Sequence, residues 1–105
     1  MANVFDHLYS VILDRKANPR PDSYVCDLLA SGEDKILRKV GEEAVEVILA
    51  AKSGSDEALV HELADLAFHS LVLLGSRGIA PHRITAELAR RLGTSGLEEK
   101  RGRRG

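Results

Sequence analysis

The chain has 105 residues, of which 44% are hydrophobic and 30% are charged, and its formal net charge is −1. This length allows one domain with a modest core. The near-neutral charge gives no general attraction to polyanions, so neither nucleic acid nor a membrane is an expected partner. The lone cysteine, Cys26, excludes an internal disulfide and fits a reducing compartment, so we expect a cytoplasmic protein.

Apolar residues recur at helical spacing through most of the chain, and no segment alternates convincingly with period two. Prolines, glycines and capping residues divide this pattern into segments. We therefore predict an all-α fold, in which one domain covers residues 1–93 and a polar, basic tail covers residues 94–105. The predicted helices cover about 3–16, 22–30, 33–52, 56–77 and 81–92.

The third predicted helix carries three carboxylates within an otherwise apolar run. Residues three or four apart share a helix face, so Glu42, Glu43 and Glu46 crowd onto one side. Lys39 lies one turn before Glu43 on that side. Like charges at this spacing destabilise a helix by roughly a few tenths of a kcal/mol per pair. This repulsion predicts that a cation binds nearby.

The fourth predicted helix is apolar on nearly every face, and such a helix is normally buried. Between residues 58 and 74 its only acids are Glu62 and Asp65, and it has no Lys or Arg to pair with them. Buried carboxylates are tolerated when they are paired or bind a metal. If the two helices pack side by side, four carboxylates converge, and oxygen ligands favour Mg²⁺ or Mn²⁺ over zinc. The alternative is two solvated helix faces.

Three residues near these acids each raise a separate question. His69 shares a face with Glu62 and Asp65, where it could contact substrate, transfer a proton or be a hydrogen-bonded core histidine. His61 lies four residues before Asp65, but no Cys or further His completes a zinc set. Gly41 lies within a helix, where glycine costs about 1 kcal/mol relative to alanine. It indicates either close helix packing or room for a ligand.

A second copy of the chain is expected to complete the fold. The core side of the third helix is predicted to contain Ile36, Leu37, Val40, Ala44, Val47, Ile48 and Ala51. Because the fourth helix is also apolar, the chain has too few outer helices to cover its two central ones. This shortage predicts a two-fold homodimer.

These motifs resemble those of a known superfamily over nearly the whole chain. Lys39-Val-Gly-Glu-Glu-Ala-Val-Glu46 and Glu62-Leu-Ala-Asp65 are similar to the acidic motifs of the all-α nucleoside triphosphate pyrophosphohydrolases, relatives of the MazG and dimeric dUTPase proteins. Asp22-Ser-Tyr24 and Ser95-Gly-Leu-Glu-Glu-Lys100 resemble one branch, the phosphoribosyl-ATP pyrophosphohydrolases. The chain departs from that pattern at Phe68, where the family often has tyrosine, and after Lys100.

The resemblance implies a Mg²⁺-dependent enzyme of histidine biosynthesis. The reaction would hydrolyse phosphoribosyl-ATP between its α and β phosphates, giving phosphoribosyl-AMP and pyrophosphate. The implied metal ligands are Glu43, Glu46, Glu62 and Asp65, with Glu42 as an outer ligand or as the base that positions water.

The resemblance also implies positions for substrate contacts. We expect Lys39 to contact phosphate, with Lys35 as the second choice. Ser23 and Tyr24 are weaker candidates for nucleotide contacts, since capping and packing explain them almost as well. Lys100 in the tail either meets substrate phosphates or lies in a frayed terminus.

Two other functions would use the same features. A house-cleaning nucleoside triphosphate pyrophosphatase would share the acidic motifs and differ in its substrate pocket. A non-catalytic helical interaction domain would have solvated acids and would gain no thermal stability from Mg²⁺.

Overall fold

A computed structural model describes residues 3–93, so the predicted tail lies outside the described part of the chain. Residues 3–93 form five helices and no strand, which confirms the predicted all-α class. The helices are α1 (Val4–Ala17), α2 (Tyr24–Ser31), α3 (Glu33–Ser53), α4 (Asp56–Arg77) and α5 (His82–Leu92). The two acidic segments therefore lie on α3 and α4, the two longest helices.

Side-chain and backbone chemistry local to each terminus sets several helix ends. The Ser23 hydroxyl accepts a hydrogen bond from the Cys26 backbone N–H at 3.2 Å. The Ser55 hydroxyl accepts one from the Ala58 N–H, also at 3.2 Å. Each serine thus satisfies an amide that the first turn of a helix leaves without a partner. α4 ends at Gly78, whose φ of 69° lies in the left-handed region that favours glycine.

α3 and α4 form an antiparallel hairpin with the most extensive interface in the fold. Only Gly54 and Ser55 separate the two helices. At the open end of the hairpin, the Arg77 guanidinium donates hydrogen bonds to both carboxylate oxygens of Glu33, at 2.5 and 2.9 Å. These hydrogen bonds are the main cause that lowers the pKa of Glu33. The pair ties the end of α4 to the start of α3 and fixes the register of the hairpin.

The hydrophobic core lies in the half of the bundle away from the α3–α4 loop. Its buried members are Tyr9, Ile12, Val25, Leu28, Ile36, Leu71 and Val72. α1 packs closely on α4 at Gly75, where an added Cβ atom would lie 2.6 Å from Ile12 Cγ2. Lys16 strengthens the same contact, because its Nζ donates to the carbonyls of Gly75 and Ser76 at 3.0 and 3.3 Å. α1 and α2 thus cover the core half of the hairpin.

The loop half of the hairpin is more exposed than the core half. On the predicted core side of α3, Ile48 and Ala51 near the loop are exposed, whereas Ile36 near the other end is buried. The buried residues of α4 all lie in its second half, and Val60 in the first half is 66% exposed. A single chain therefore leaves the loop half of its two central helices uncovered, as the small number of outer helices predicts. The reason is that α1 and α2 pack against only one half of the hairpin.

α5 contributes no buried residue to the core. Its apolar stripe, Ile84, Leu88 and Leu92, is exposed. The helix therefore has an apolar surface that the other described helices do not cover.

α4 is the one helix within residues 3–93 that is long and apolar enough to cross a membrane by length and composition. It packs against α1, α2 and α3 in the bundle. It also carries Glu62 and Asp65, and an acid at the centre of a bilayer costs about 2.5–3.5 kcal/mol. Both features favour its assignment as the central helix of this bundle.

Candidate metal-binding active site

Carboxylates from both helices of the hairpin influence one another electrostatically. Burial is the largest cause that raises the pKa of the Glu62 carboxyl, and the charge of Asp65 is the next. The charges of Glu43 and Glu46, across the interface on α3, raise it further. Glu43 and Glu46 on α3 are therefore close enough to Glu62 on α4 for their charges to act on its carboxyl.

These acids are less buried than their apolar neighbours predict. Glu42 and Glu46 are exposed, and Glu43, Glu62 and Asp65 are half-buried. The expectation of buried carboxylates is wrong because the covering helices α1 and α2 pack on the other half of the hairpin. An open site of this kind can admit a large, charged substrate from solvent.

Lysine neutralises only one edge of the acidic cluster. Lys39 Nζ lies 3.7 Å from Glu42 Oε2, so this predicted phosphate contact is adjacent to the acids. Within residues 3–93, no Lys or Arg forms an ion pair with Glu43, Glu46 or Glu62. Among the described residues, their mutual repulsion is therefore not offset by a lysine or arginine, which is the condition that favours binding of a cation.

His61 places a nitrogen donor beside the carboxylates. Its Nε2 atom lies 3.4 Å from Asp65 Oδ2. One ligand atom from each of His61, Glu62 and Asp65 can be chosen so that all three lie within 4.8 Å of one another. Sequence reasoning noted the four-residue spacing of His61 and Asp65 but left the histidine out of the site, because no zinc set was complete. The signal was the spacing itself, which places the two side chains one turn apart.

Two hydrogen bonds to the buried side chain of His69 connect α2 to the turn of α4 that carries Asp65. His69 is 5% exposed, and its Nδ1 lies 2.8 Å from the Asp65 backbone carbonyl. A carbonyl only accepts, so Nδ1 donates this bond and Nε2 is left as an acceptor. The Tyr24 hydroxyl, 2.9 Å from Nε2, therefore donates to His69. This arrangement matches the hydrogen-bonded core histidine among the alternatives for His69.

Tyr24 is the exposed partner in these hydrogen bonds. Its side chain is 46% exposed, and its ring stacks on Phe68 with the centroids 6.1 Å apart. The hydroxyl donates its only proton to His69, so its oxygen can still accept a hydrogen bond from a ligand. Ser23, by contrast, uses its hydroxyl to cap α2.

The remaining predicted residues are placed differently. Lys35 is half-buried one turn before Lys39 on α3. Lys100 lies outside the described residues. A Cβ atom added at Gly41 would meet nothing within 4 Å, so the structure of the single chain does not support the close-packing interpretation of this glycine. The open space beside the acids is consistent with room for a ligand.

The donor set defines what the site can do chemically. Four carboxylates supply oxygen ligands of the type preferred by Mg²⁺ and Mn²⁺. A metal held there can polarise phosphoryl oxygens and lower the pKa of bound water. Lys39 adds a positive charge at the edge, where it can stabilise a phosphate leaving group. The arrangement is suited to hydrolysis of a phosphoric anhydride.

Comparisons with known proteins identify the family of this chain. Residues 5–92 match the family model described as phosphoribosyl-ATP pyrophosphohydrolase. A phosphoribosyl-ATP pyrophosphatase of Geobacter sulfurreducens is 54% identical over 101 residues, which cover 96% of this chain and 94% of the relative. The protein of the same name from Geotalea daltonii is 52% identical over 101 residues, covering 96% and 95%. The family model spans most of the chain and both relatives match over nearly their full length, and the chain therefore belongs to the phosphoribosyl-ATP pyrophosphohydrolase family.

Proposed function

We propose that this chain hydrolyses phosphoribosyl-ATP between its α and β phosphates, giving phosphoribosyl-AMP and pyrophosphate in the second step of histidine biosynthesis. One observation carries the proposal: in a chain of this family, the charges of Glu43 and Glu46 on α3 act on Glu62 on the packed helix α4, and within residues 3–93 no lysine or arginine forms an ion pair with these three acids. Free Cys26 is compatible with a reducing cytoplasm, which is the compartment that we propose.

Mg²⁺ is the proposed metal, with Mn²⁺ as a substitute. The donor set fits either ion, because it consists of carboxylate oxygens whose repulsion a divalent cation would relieve. Glu43, Glu46, Glu62 and Asp65 would hold the ion. When bound, it would neutralise charge on the triphosphate and polarise the phosphoryl oxygens.

The side chains around these ligands have separate proposed tasks. Glu42 is exposed and directly precedes the proposed ligand Glu43 on α3, so its carboxylate can orient water and accept a proton. Lys39, 3.7 Å from Glu42, is placed to contact a phosphate, with Lys35 one turn away as a second cation. Their charges would oppose the negative charge that develops on leaving pyrophosphate.

Tyr24 is the proposed contact for the nucleotide portion of the substrate. Its ring is held against Phe68 and its hydroxyl is held by His69, so it offers a fixed aromatic edge and one free acceptor. His69 acts on substrate only through Tyr24, because both of its ring nitrogens are engaged. Ser23 supports the same contact by capping α2, and Lys100 remains a proposed contact to phosphate.

A homodimer is part of the proposal. The loop half of the hairpin exposes a contiguous set of large apolar residues: Val45, Ile48, Leu49, Val60 and Leu63. Exposed apolar surface of this kind marks an interaction site, and a second copy presents the same face. Val60→Glu should reduce the mass measured by light scattering from dimer towards monomer, whereas Val4→Glu, at an equally exposed valine on α1, should leave the dimer. A monomeric mass of the natural chain at micromolar concentration would refute this part.

Pyrophosphate release by the purified protein tests the activity. Phosphoribosyl-ATP, ATP and dUTP are compared in Mg²⁺ and in EDTA. We expect Mg²⁺-dependent turnover of phosphoribosyl-ATP alone. Turnover of ATP or dUTP instead would indicate a house-cleaning pyrophosphatase, and no turnover together with no thermal shift from Mg²⁺ would indicate a non-catalytic domain.

Paired substitutions test the site itself. Glu46→Gln and Asp65→Asn remove one charge each from the cluster and should abolish turnover while the protein stays folded. Glu57→Gln is the matched control, because Glu57 is an exposed acid in the first turn of α4. Turnover close to that of the natural chain in Glu46→Gln or Asp65→Asn would overturn the ligand assignment.

A further inference from the structure

His61 is the nitrogen donor closest to the carboxylate cluster in the described part of the chain, with Nε2 3.4 Å from Asp65 Oδ2. We propose that His61 supplies a nitrogen ligand to the metal site, so that the site binds first-row transition ions such as Co²⁺ more tightly than carboxylates alone would. This inference rests on the proposed function, because it requires a metal at the acidic cluster.

The spacing of the ligand atoms supports this assignment. Ligand atoms of His61, Glu62 and Asp65 lie within 4.8 Å of one another. With bonds of about 2.1 Å, neighbouring ligands in an octahedral site lie about 3 Å apart and opposite ligands about 4.2 Å apart. The three side chains therefore need only small torsional changes to bind one ion.

His61 is free to move into the coordination sphere. Its side chain is 72% exposed in the single chain, so its neighbours in that chain leave room for rotation towards the ion. Its contact with Asp65 is a loose one, at 3.4 Å, and a shared ion would replace it. His69, one turn beyond Asp65, cannot take this role, because Tyr24 and the Asp65 carbonyl occupy both of its ring nitrogens.

A nitrogen ligand changes which ions are preferred. Imidazole binds Co²⁺ and Zn²⁺ well, and affinities of such sites rise from Mn²⁺ to Co²⁺. Mg²⁺ prefers oxygen ligands and gains little from a histidine. Loss of His61 should therefore weaken Co²⁺ binding strongly and Mg²⁺ binding slightly.

Calorimetric titration of the full chain with Co²⁺ and with Mg²⁺ tests the proposal. His61→Ala should raise the dissociation constant for Co²⁺ by at least about tenfold and that for Mg²⁺ by less than about threefold. His82→Ala is the matched control, since His82 is another exposed histidine near a helix start but lies on α5. Equal Co²⁺ affinities in the two variants would overturn the proposal.

A spectroscopic measurement reports the ligand directly. Pulsed EPR of the protein loaded with Mn²⁺ should show ¹⁴N modulation that disappears in His61→Ala and persists in His82→Ala. Modulation that persists in His61→Ala, or that is absent from the natural chain, would contradict nitrogen ligation.

Glu46→Gln tests the metal site itself. If this change weakens the binding of neither Co²⁺ nor Mg²⁺, the proposed function fails along with this inference. If it weakens both ions while His61→Ala weakens neither, only this inference fails.

Discussion

Replacing glycine by alanine should have opposite effects on stability at Gly41 and at Gly75. Both glycines lie in helices, where alanine is favoured by up to about 1 kcal/mol. At Gly41 an added Cβ atom meets nothing within 4 Å, so Gly41→Ala should raise the free energy of unfolding by about that amount. A gain of 1 kcal/mol corresponds to roughly 4–8 °C in the melting temperature of a domain of this size.

At Gly75 the same methyl group meets the core. The added Cβ would lie 2.6 Å from Ile12 Cγ2, about 1 Å closer than the usual carbon–carbon contact of about 3.5–4.0 Å. Ile12 is fully buried and branched at Cβ, so this methyl cannot swing away without moving α1. Overpacking costs about 1–3 kcal/mol, which exceeds the helical gain in most of that range. Gly75→Ala should therefore destabilise the protein by up to about 2 kcal/mol.

Urea and thermal unfolding of both variants at equal protein concentration measure this difference. The clash should be relieved by Ile12→Leu, which removes Cγ2 while keeping the side-chain volume, and this change alone should cost less than about 1.5 kcal/mol. The two substitutions should therefore be coupled in a double-mutant cycle. A Gly75→Ala protein as stable as Gly41→Ala, or one that Ile12→Leu does not rescue, would refute the packing argument.

Three further predictions concern the site and the contacts that support it. Metal-free Glu62→Gln should be more stable than the natural chain at pH 7 and equally stable well below pH 4.5, because the raised pKa makes ionised Glu62 destabilising only as the pH rises through that pKa. Thermal unfolding in EDTA across this pH range tests the prediction, and equal stability at pH 7 would contradict it. Glu33→Gln should be less stable than the natural chain at neutral pH, and the difference should disappear as the pH falls through the pKa of Glu33, which the Arg77 hydrogen bonds lower. Thermal unfolding across the same pH range tests this, and a stability difference that grows in acid would contradict the Glu33–Arg77 ion pair. Tyr24→Phe should lower the free energy of unfolding, measured in urea, by about 0.5–1.5 kcal/mol, because His69 Nε2 loses its hydrogen-bond donor. The same substitution should raise KM for phosphoribosyl-ATP, and an unchanged KM would show that Tyr24 has only a structural role.

Local chemistry explains why the sequence predicts the helices so closely. Ser55 caps α4 because its hydroxyl is three residues from an unpaired amide, and Gly78 ends it because only glycine adopts that φ readily. The crowding of Glu42, Glu43 and Glu46 follows in the same way from helical spacing. Interactions between residues within one or two helical turns can be inferred from the sequence.

Contacts between distant parts of the chain cannot be inferred from the sequence in this way. The Tyr24–His69 hydrogen bond joins residues 45 positions apart, and the spacing of His69 from Asp65 allowed both a substrate contact and a buried histidine. The space beside Gly41 likewise depends on which helix packs there.

The sequence by itself determined the all-α class, the helix ends and the crowding of acids on one face of α3 and of α4, because these depend on neighbours within one or two turns. Only the tertiary structure decided that α1 and α2 cover one half of the hairpin, which leaves the acids open and Val60 exposed. The physical reason is that periodicity identifies an apolar or acidic face of a helix, whereas the packing of other helices decides whether that face is covered.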